Sequence, residues 1–343
     1  MNIEKEIFGT LPGGKEVHRY GLKNNKGMEV DIITYGAIIT AIRFPGKNHE
    51  PGDVVLGFDS LDEYLGDHPY FGAVAGRVCN RIGNARFELD GKIFSLTANE
   101  GVNQLHGGEK GFDKQLWTAS TAKTPEQVSL ILAYESQDGE EGYPGNLLVE
   151  LEYSLNDENE LGIRFRAKTD KPTHVNLTNH SYFNLNNCQG NIYDHELFIN
   201  SAAVCELDEA SIATGKLLPV EGTPYDFKLS SSIGDRIEEV GMGYDINYVL
   251  DNPSRDLIRV AAVHDPVSGR VMEVLTTLPG VQLYTSNYVD HIRGKGGVFY
   301  EKHCAVCLET QYYPNSANQP SFPSTVLRPG EIFDELTIYR FSR

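Results

Sequence analysis

No apolar run in the 343 residues approaches the roughly 18 that a membrane-spanning helix needs, so no such helix is expected. The opening residues, Met1-Asn2-Ile3-Glu4-Lys5-Glu6, contain no apolar signal-peptide region, which makes the cytoplasm the expected compartment. Basic residues are scarce as well. The 30 Lys+Arg stand against 48 Asp+Glu, a net charge of −18, and no local basic patch relieves it. A chain of that sign is repelled by nucleic acid and by anionic membrane surfaces, whereas a neutral small molecule is indifferent to it. The five cysteines, Cys79, Cys188, Cys205, Cys304 and Cys307, are too few and odd in number for a disulfide framework, and reduced thiols suit an intracellular protein. A heptad, a glycine period, an internal repeat and a low-complexity tract are all missing, which excludes coiled-coil, collagen-like and solenoid architectures.

Chemical signatures are missing too. There is no Gly-x-Ser-x-Gly elbow for a covalent serine mechanism, and no GxGxxG for a dinucleotide. Gly294-Lys295-Gly296-Gly297 lacks the following Ser or Thr of a phosphate-binding loop. No HExxH spacing marks a catalytic zinc site, and none is expected. Cys304-Ala305-Val306-Cys307 has the spacing of a redox or zinc pair. It leads into the β-rich run Val306-Cys307-Leu308-Glu309-Thr310, where residues three apart face opposite ways, so a structural role is expected.

What is abundant is strict alternation. Leu147, Val149, Leu151, Tyr153 and Leu155 interleave with Leu148, Glu150, Glu152 and Ser154, which predicts a strand with one buried face. Val128, Leu130, Leu132 and Tyr134 repeat the period, as do Ile163, Phe165 and Ala167. Turn clusters such as Gly139-Glu140-Glu141-Gly142-Tyr143-Pro144-Gly145 and Asn156-Asp157-Glu158-Asn159 separate them, and the 34 glycines fit many such turns. Helical signals reduce to two short candidates, around Leu61–Leu65 and Leu207–Ala210. Strands without helices to cover them must bury their apolar faces on another sheet. The expected fold is therefore all-β, a large antiparallel β-sandwich formed by one domain over residues 1–343.

Several polar clusters serve no evident turn. Gly76-Arg77-Val78-Cys79-Asn80-Arg81-Ile82 follows an apolar run and reads either as a surface hairpin with solvated arginines or as part of a site. Asn103-Gln104-Leu105-His106-Gly107-Gly108 puts a histidine on a glycine-rich loop. Asn176–Leu185 crowds amides, His180, Ser181 and aromatics together, either as a self-satisfying buried network or as a lining for a polyhydroxylated ligand. Gly243-Tyr244-Asp245 and Pro279-Gly280-Val281-Gln282-Leu283-Tyr284-Thr285 add a carboxylate and an amide. Cys307-Leu308-Glu309-Thr310-Gln311 sets Glu309 in an apolar strand, where burial raises a carboxyl pKa and makes a usable base, unless the residue is held in a structural ion pair.

In content and order these clusters (GRVCNRI 76–82, NQLHGG 103–108, NHSYFNL 179–185, GYD 243–245, PGVQLYT 279–285, CLETQ 307–311) resemble the galactose mutarotase (aldose 1-epimerase) family over nearly the whole chain. The resemblance implies a β-supersandwich that interconverts the α and β anomers of free aldohexoses such as galactose and glucose without a cofactor. It also implies roles. Glu309 looks like the base that takes the anomeric hydroxyl proton, and His180 like the acid that protonates the ring oxygen. His106 would support developing charge, and Asn80, Arg81, Ser181, Tyr182, Asp245 and Gln282, with the two histidines, would bind the sugar. Opening a hemiacetal needs an acid and a base flanking one carbon, and a histidine with a reference pKa near 6.5 can give and recover a proton at neutrality.

Three rivals use the same residues. Asp245 and Glu309 could be the carboxylate pair of a glycosidase, which leaves both histidines without a task. A sugar-binding module would need no acid–base set. A hexose-6-phosphate epimerase would need a further cation, for which Arg77 is available. Ile246 stands where many relatives have histidine and Asn315 where aspartate is common, departures that bear on sugar preference rather than on chemistry. A monomer or homodimer with no nucleic-acid or membrane partner is expected, and sugar catabolism is the setting that the resemblance implies.

Overall fold

Strands dominate, joined by turns and a few single-turn helices, in a computed structural model that describes residues 1–343. The alternation over 147–155 becomes the strand Leu147–Asn156, whose odd-numbered apolar side chains are fully buried while Leu148, Glu150 and Glu152 face outward. It lies between Gln127–Ser136 and Glu160–Thr169 in an antiparallel register. These belong to a nine-stranded sheet that continues through Phe333–Ser342, Val271–Thr276 and Ile258–His264 to Glu196–Ile199.

Two five-stranded sheets complete the layers. One is the N-terminal meander from Asn2–Thr10 to Pro51–Asp53; the other runs in the order Ala213–Pro219, Ser201–Leu207, Asp245–Leu250, Gly280–Tyr284, Cys307–Gln311. The sequence argues for two sheets around one core. Three large sheets are present beside five two-stranded pairings, and one hydrophobic cluster draws on all three large ones, through Val30 and Ile42, Leu151 and Tyr339, and Tyr248 and Leu283.

Alternation along Cys307–Gln311 decides where the site lies. Leu308 sits in the core, and Thr310 Oγ1 meets Thr337 Oγ1 of the nine-stranded sheet at 2.5 Å. Glu309 therefore faces the opposite side. Gln282 is its directly registered partner on Gly280–Tyr284, and Asp245 pairs with Tyr284 one strand further on, so all three polar side chains share a face. Ile246 points the other way, into the core.

Of the two expected helices, Leu61–Leu65 is present, with Glu63 accepting the Ser60 backbone N–H at 3.0 Å. Leu207–Ala210 is not helical. Leu207 ends a strand, and Asp208 Oδ1 accepts the N–H groups of Ala210 and Ile212 at 2.9 Å each, which turns the chain back as a hairpin. Cys304 lies before its strand rather than on it. Both thiols of the CxxC pair are buried in one hydrophobic cluster, and burial pushes Cys304 up to about 12, so neither is a thiolate at neutral pH.

Candidate functional site

The site is assembled from short pairings that tie distant loops together. Arg81–Ile82 pairs with Gln104–Leu105, and so brings Asn80 beside His106. The His106 N–H donates to Asn80 O at 3.1 Å, and the Asn80 N–H donates to His106 Nδ1 at 3.2 Å. Both residues have left-handed backbones, φ +59° and +51°, which neither a bare turn nor sheet pairing demands. Gly107, at φ +94°, lets this loop press onto Gly76, where a Cβ would come within 1.8 Å of the Gly76 carbonyl oxygen. Thr178–Asn179 pairs with Val74–Ala75, and the His180 N–H donates to Ala73 O at 2.8 Å. Phe183 exchanges backbone hydrogen bonds with Val306 at 2.8 Å each, which fixes the histidine segment alongside the strand that bears Glu309.

A cavity of about 130 Å³ results. His106, His180, Asp245, Gln282 and Glu309 all line it, with Asn80, Arg81 and Tyr182. His180 Nε2 lies 3.6 Å from Glu309 Oε1, and His180 Nδ1, Glu309 Oε2 and Gln282 Oε1 are buried without a partner. Unpaired buried polar atoms are costly unless a ligand satisfies them. Burial pushes the Glu309 carboxyl well above the usual range, and nearby Asp245 adds to the effect. Burial also pushes His180 down to about 4, and His106 falls well below its ordinary value through burial and the neighbouring His180 and Arg81. Burial raises Asp245, against the pull of Arg81 and of the 2.6 Å hydrogen bond from Gln282 Nε2.

His106, His180 and Glu309 offer ligand atoms within 4.8 Å of one another, a possible metal-binding trio. The hydrogen bond from the Asn80 N–H occupies the Nδ1 lone pair of His106, so neutral His106 carries its proton on Nε2. That nitrogen faces the cavity as a donor, which leaves His180 and Glu309 as the only free ligands and does not fit a three-ligand catalytic zinc.

Ser181 is not among the lining residues. Its hydroxyl donates to Asn179 Oδ1 at 2.6 Å, and Asn179 in turn donates to Gly72 O and Tyr153 Oη. Alternation turns Ser181 away from the face that His180 and Tyr182 present, which removes it from direct sugar contact. The 176–185 cluster thus divides between the two readings, with Asn176, Asn179, Ser181 and Asn184 satisfied within the protein and His180 left open.

Arg77 corrects the expectation of a solvated arginine and removes the cation that a phosphosugar would need. It is buried, donates to Ser136, Pro144 O and Gly145 O, and lies over the Tyr143 ring, away from the cavity. Asn315 is also structural: its Oδ1 accepts the Gly83 N–H at 3.1 Å and its Nδ2 donates to Ala213 O at 3.0 Å.

Sequence reasoning missed Tyr70, Tyr284 and Tyr288 in the lining, and Glu100, whose carboxylate holds Arg81 in a two-point bond at 2.8 and 2.9 Å. Tyr284 was within reach, since it lies two residues from Gln282 on one strand and shares its face. Nothing local marks Tyr70 or Glu100. A larger cavity, about 520 Å³, opens beside Arg255. Its buried carboxylate, Glu335, already holds Arg255, Thr277 Oγ1 and Tyr312 Oη, and Asp334 in the lining is paired with Arg164.

The sequence matches the family model described as aldose 1-epimerase over residues 18–340. It is 46% identical to the galactose mutarotase of Sus scrofa, over 100% of this chain and 99% of that protein. It is 34% identical to the aldose 1-epimerase of Escherichia coli K12, with 98% of each covered. Among solved structures, galactose 1-epimerase from Lactobacillus acidophilus superposes with a TM-score of 0.88 at 25% identity, covering 99% of this chain and 98% of that one. The GalM/aldose epimerase homologue of C. elegans gives 0.87 at 30% identity, with coverages of 94% and 98%.

Proposed function

This chain belongs to the aldose 1-epimerase family and is an isomerase that interconverts the α and β anomers of aldohexoses, and we propose that Glu309 and His180 are its base and acid. The observation that carries the assignment is the 3.6 Å gap between His180 Nε2 and Glu309 Oε1, inside a cavity where both groups keep unpartnered lone pairs or protons.

Glu309 takes the proton of the anomeric hydroxyl while His180 gives one to the ring oxygen, and the bond between the anomeric carbon and the ring oxygen breaks. The aldehyde turns about its bond to the next carbon. The same hydroxyl then attacks the other face, His180 recovers its proton, and Glu309 returns the one it took. Burial drives both groups towards their neutral forms, so the pair holds one proton between them over a wide pH range, and one proton is what either direction of the reaction requires. His106, with its proton on Nε2, donates to oxygen as negative charge grows.

Asn80, Arg81, Asp245 and Gln282 bind hydroxyls, Asp245 accepting and Arg81 donating, while Tyr182 supplies an aromatic wall. Galactose and glucose are the substrates to test. The whole chain works as one domain, as a monomer or homodimer in the cytoplasm within hexose metabolism, a setting supported by five free cysteines. Polarimetry of freshly dissolved α-galactose and α-glucose tests the function. The protein accelerates relaxation to an unchanged final rotation, and binding without acceleration would make it a sugar-binding module instead.

A further inference from the structure

Two phenol rings lie nearly parallel to the imidazole of His180. The Tyr182 ring is 4.9 Å away, centroid to centroid, at 16°, and the Tyr70 ring 5.9 Å away at 19°. Tyr70 also leans on His106, 4.7 Å away at 55°, and so touches both histidines of the site. Its backbone is in the left-handed region, φ +59°, an unfavourable conformation for a bulky residue that its surroundings must hold in place. The Tyr70 carbonyl accepts the Ala73 N–H at 3.0 Å, and Ala73 O in turn accepts the His180 N–H at 2.8 Å. One short backbone relay therefore sets both the stacking ring and the stacked one.

We infer that Tyr70 and Tyr182 are positioning residues that act through His180, fixing the plane of its ring and favouring its protonated form by offering it two aromatic faces. This rests on the reading of His180 as the acid. A cation within about 6 Å of a phenol centroid is drawn to the ring face, most strongly where water is excluded. Of the other groups facing the imidazole, an ionised Glu309 favours the same charged form, and the two ring faces add to it. Glu309 lies at its edge, 3.6 Å away, and the His106 ring is 5.1 Å off in an edge-to-face arrangement. The Tyr284 ring lies 6.2 Å off, nearly perpendicular to the imidazole. His68, which disfavours charge on His180, is itself buried and uncharged at neutral pH.

The test is the pH profile of kcat for galactose mutarotation, corrected for buffer catalysis, in Tyr70→Leu, Tyr70→Phe and His180→Asn. Loss of one aromatic face in Tyr70→Leu lowers the plateau roughly tenfold and moves the acid-side limb to lower pH, leaving the alkaline limb in place. Tyr70→Phe, which keeps the ring, recovers most of both effects. Should the leucine variant fail to fold, a series of phenylalanines of increasing fluorination at position 70 keeps the shape and weakens the ring face, and the rate then falls step by step along the series. A change confined to KM with an unmoved acid limb, or a rate flat across the fluorinated series, would overturn the inference while His180→Asn still loses turnover. An undiminished rate in His180→Asn would overturn the acid assignment and this inference with it.

Discussion

His180 Nε2 and Glu309 Oε1 face each other across 3.6 Å, too far for a hydrogen bond between them and close enough to reach two oxygens on one carbon. The two residues come from unrelated elements, a loop after the strand Thr178–Asn179 and the middle of Cys307–Gln311.

Glu309→Gln keeps the size and hydrogen bonding of the side chain and cannot accept the proton. Turnover is abolished, with sugar binding still measurable by calorimetry. Full activity in this variant would end the assignment of the base.

His180→Asn lowers kcat on the order of a hundredfold or more, the scale of general acid–base catalysis. Stopped-flow polarimetry or a coupled anomer-specific assay reads the loss, and an unchanged rate would remove His180 from the mechanism.

The pH profile follows from the two opposed shifts. His180 is lowered to about 4 by burial, so adding a second proton to the pair costs activity only near that pH. Glu309 is raised by burial and by Asp245, so the single proton leaves the pair only well above the ordinary carboxylate range. The enzyme-catalysed rate is therefore flat from about pH 5 upward to an alkaline limb set by Glu309. A limb near 6.5 would mean that an ordinary exposed imidazole controls the rate.

Arg81 is held by Glu100 in a two-point bond and approaches Asp245 at 3.7 Å, a geometry that needs a planar guanidinium. Arg81→Lys raises KM about tenfold, with a smaller effect on kcat. Glu100→Gln raises KM in the same direction, because a loosened Arg81 no longer presents its fork to the sugar.

Asp113 is buried beside the His106 loop with Oδ1 unpartnered, and burial raises its pKa to about 6. A carboxyl whose folded pKa exceeds its unfolded one stabilises the fold fully below about pH 3.8, and that contribution is lost as pH rises through 6. The loss is on the order of 3 kcal/mol. Asp113→Asn flattens this dependence, so urea midpoints of variant and parent diverge between pH 4.5 and pH 8, in favour of the variant at the higher pH. Parallel curves would refute it.

Much of the site was legible in sequence because its pieces are local. Alternation places Asp245, Gln282 and Glu309 on one face of neighbouring strands, and His106 and His180 stand at the ends of short strands whose residues pair in the structure. Ser181 was misassigned for the same kind of reason. In extended chain the neighbour of a lining residue points away, and a motif read as a block conceals that parity.

What the sequence by itself determined is the all-β class, the strand faces, the family and the acid–base candidates, since period-two patterning and motif order depend only on near neighbours. Tertiary structure alone decided that Arg77 is locked over the Tyr143 ring, that Glu100 clamps Arg81 and that Tyr70 lies along the ring of His180. Each of these contacts joins segments carried on separate loops. Their meeting is set by how three sheets pack and where left-handed residues turn the chain, and no local pattern encodes that packing.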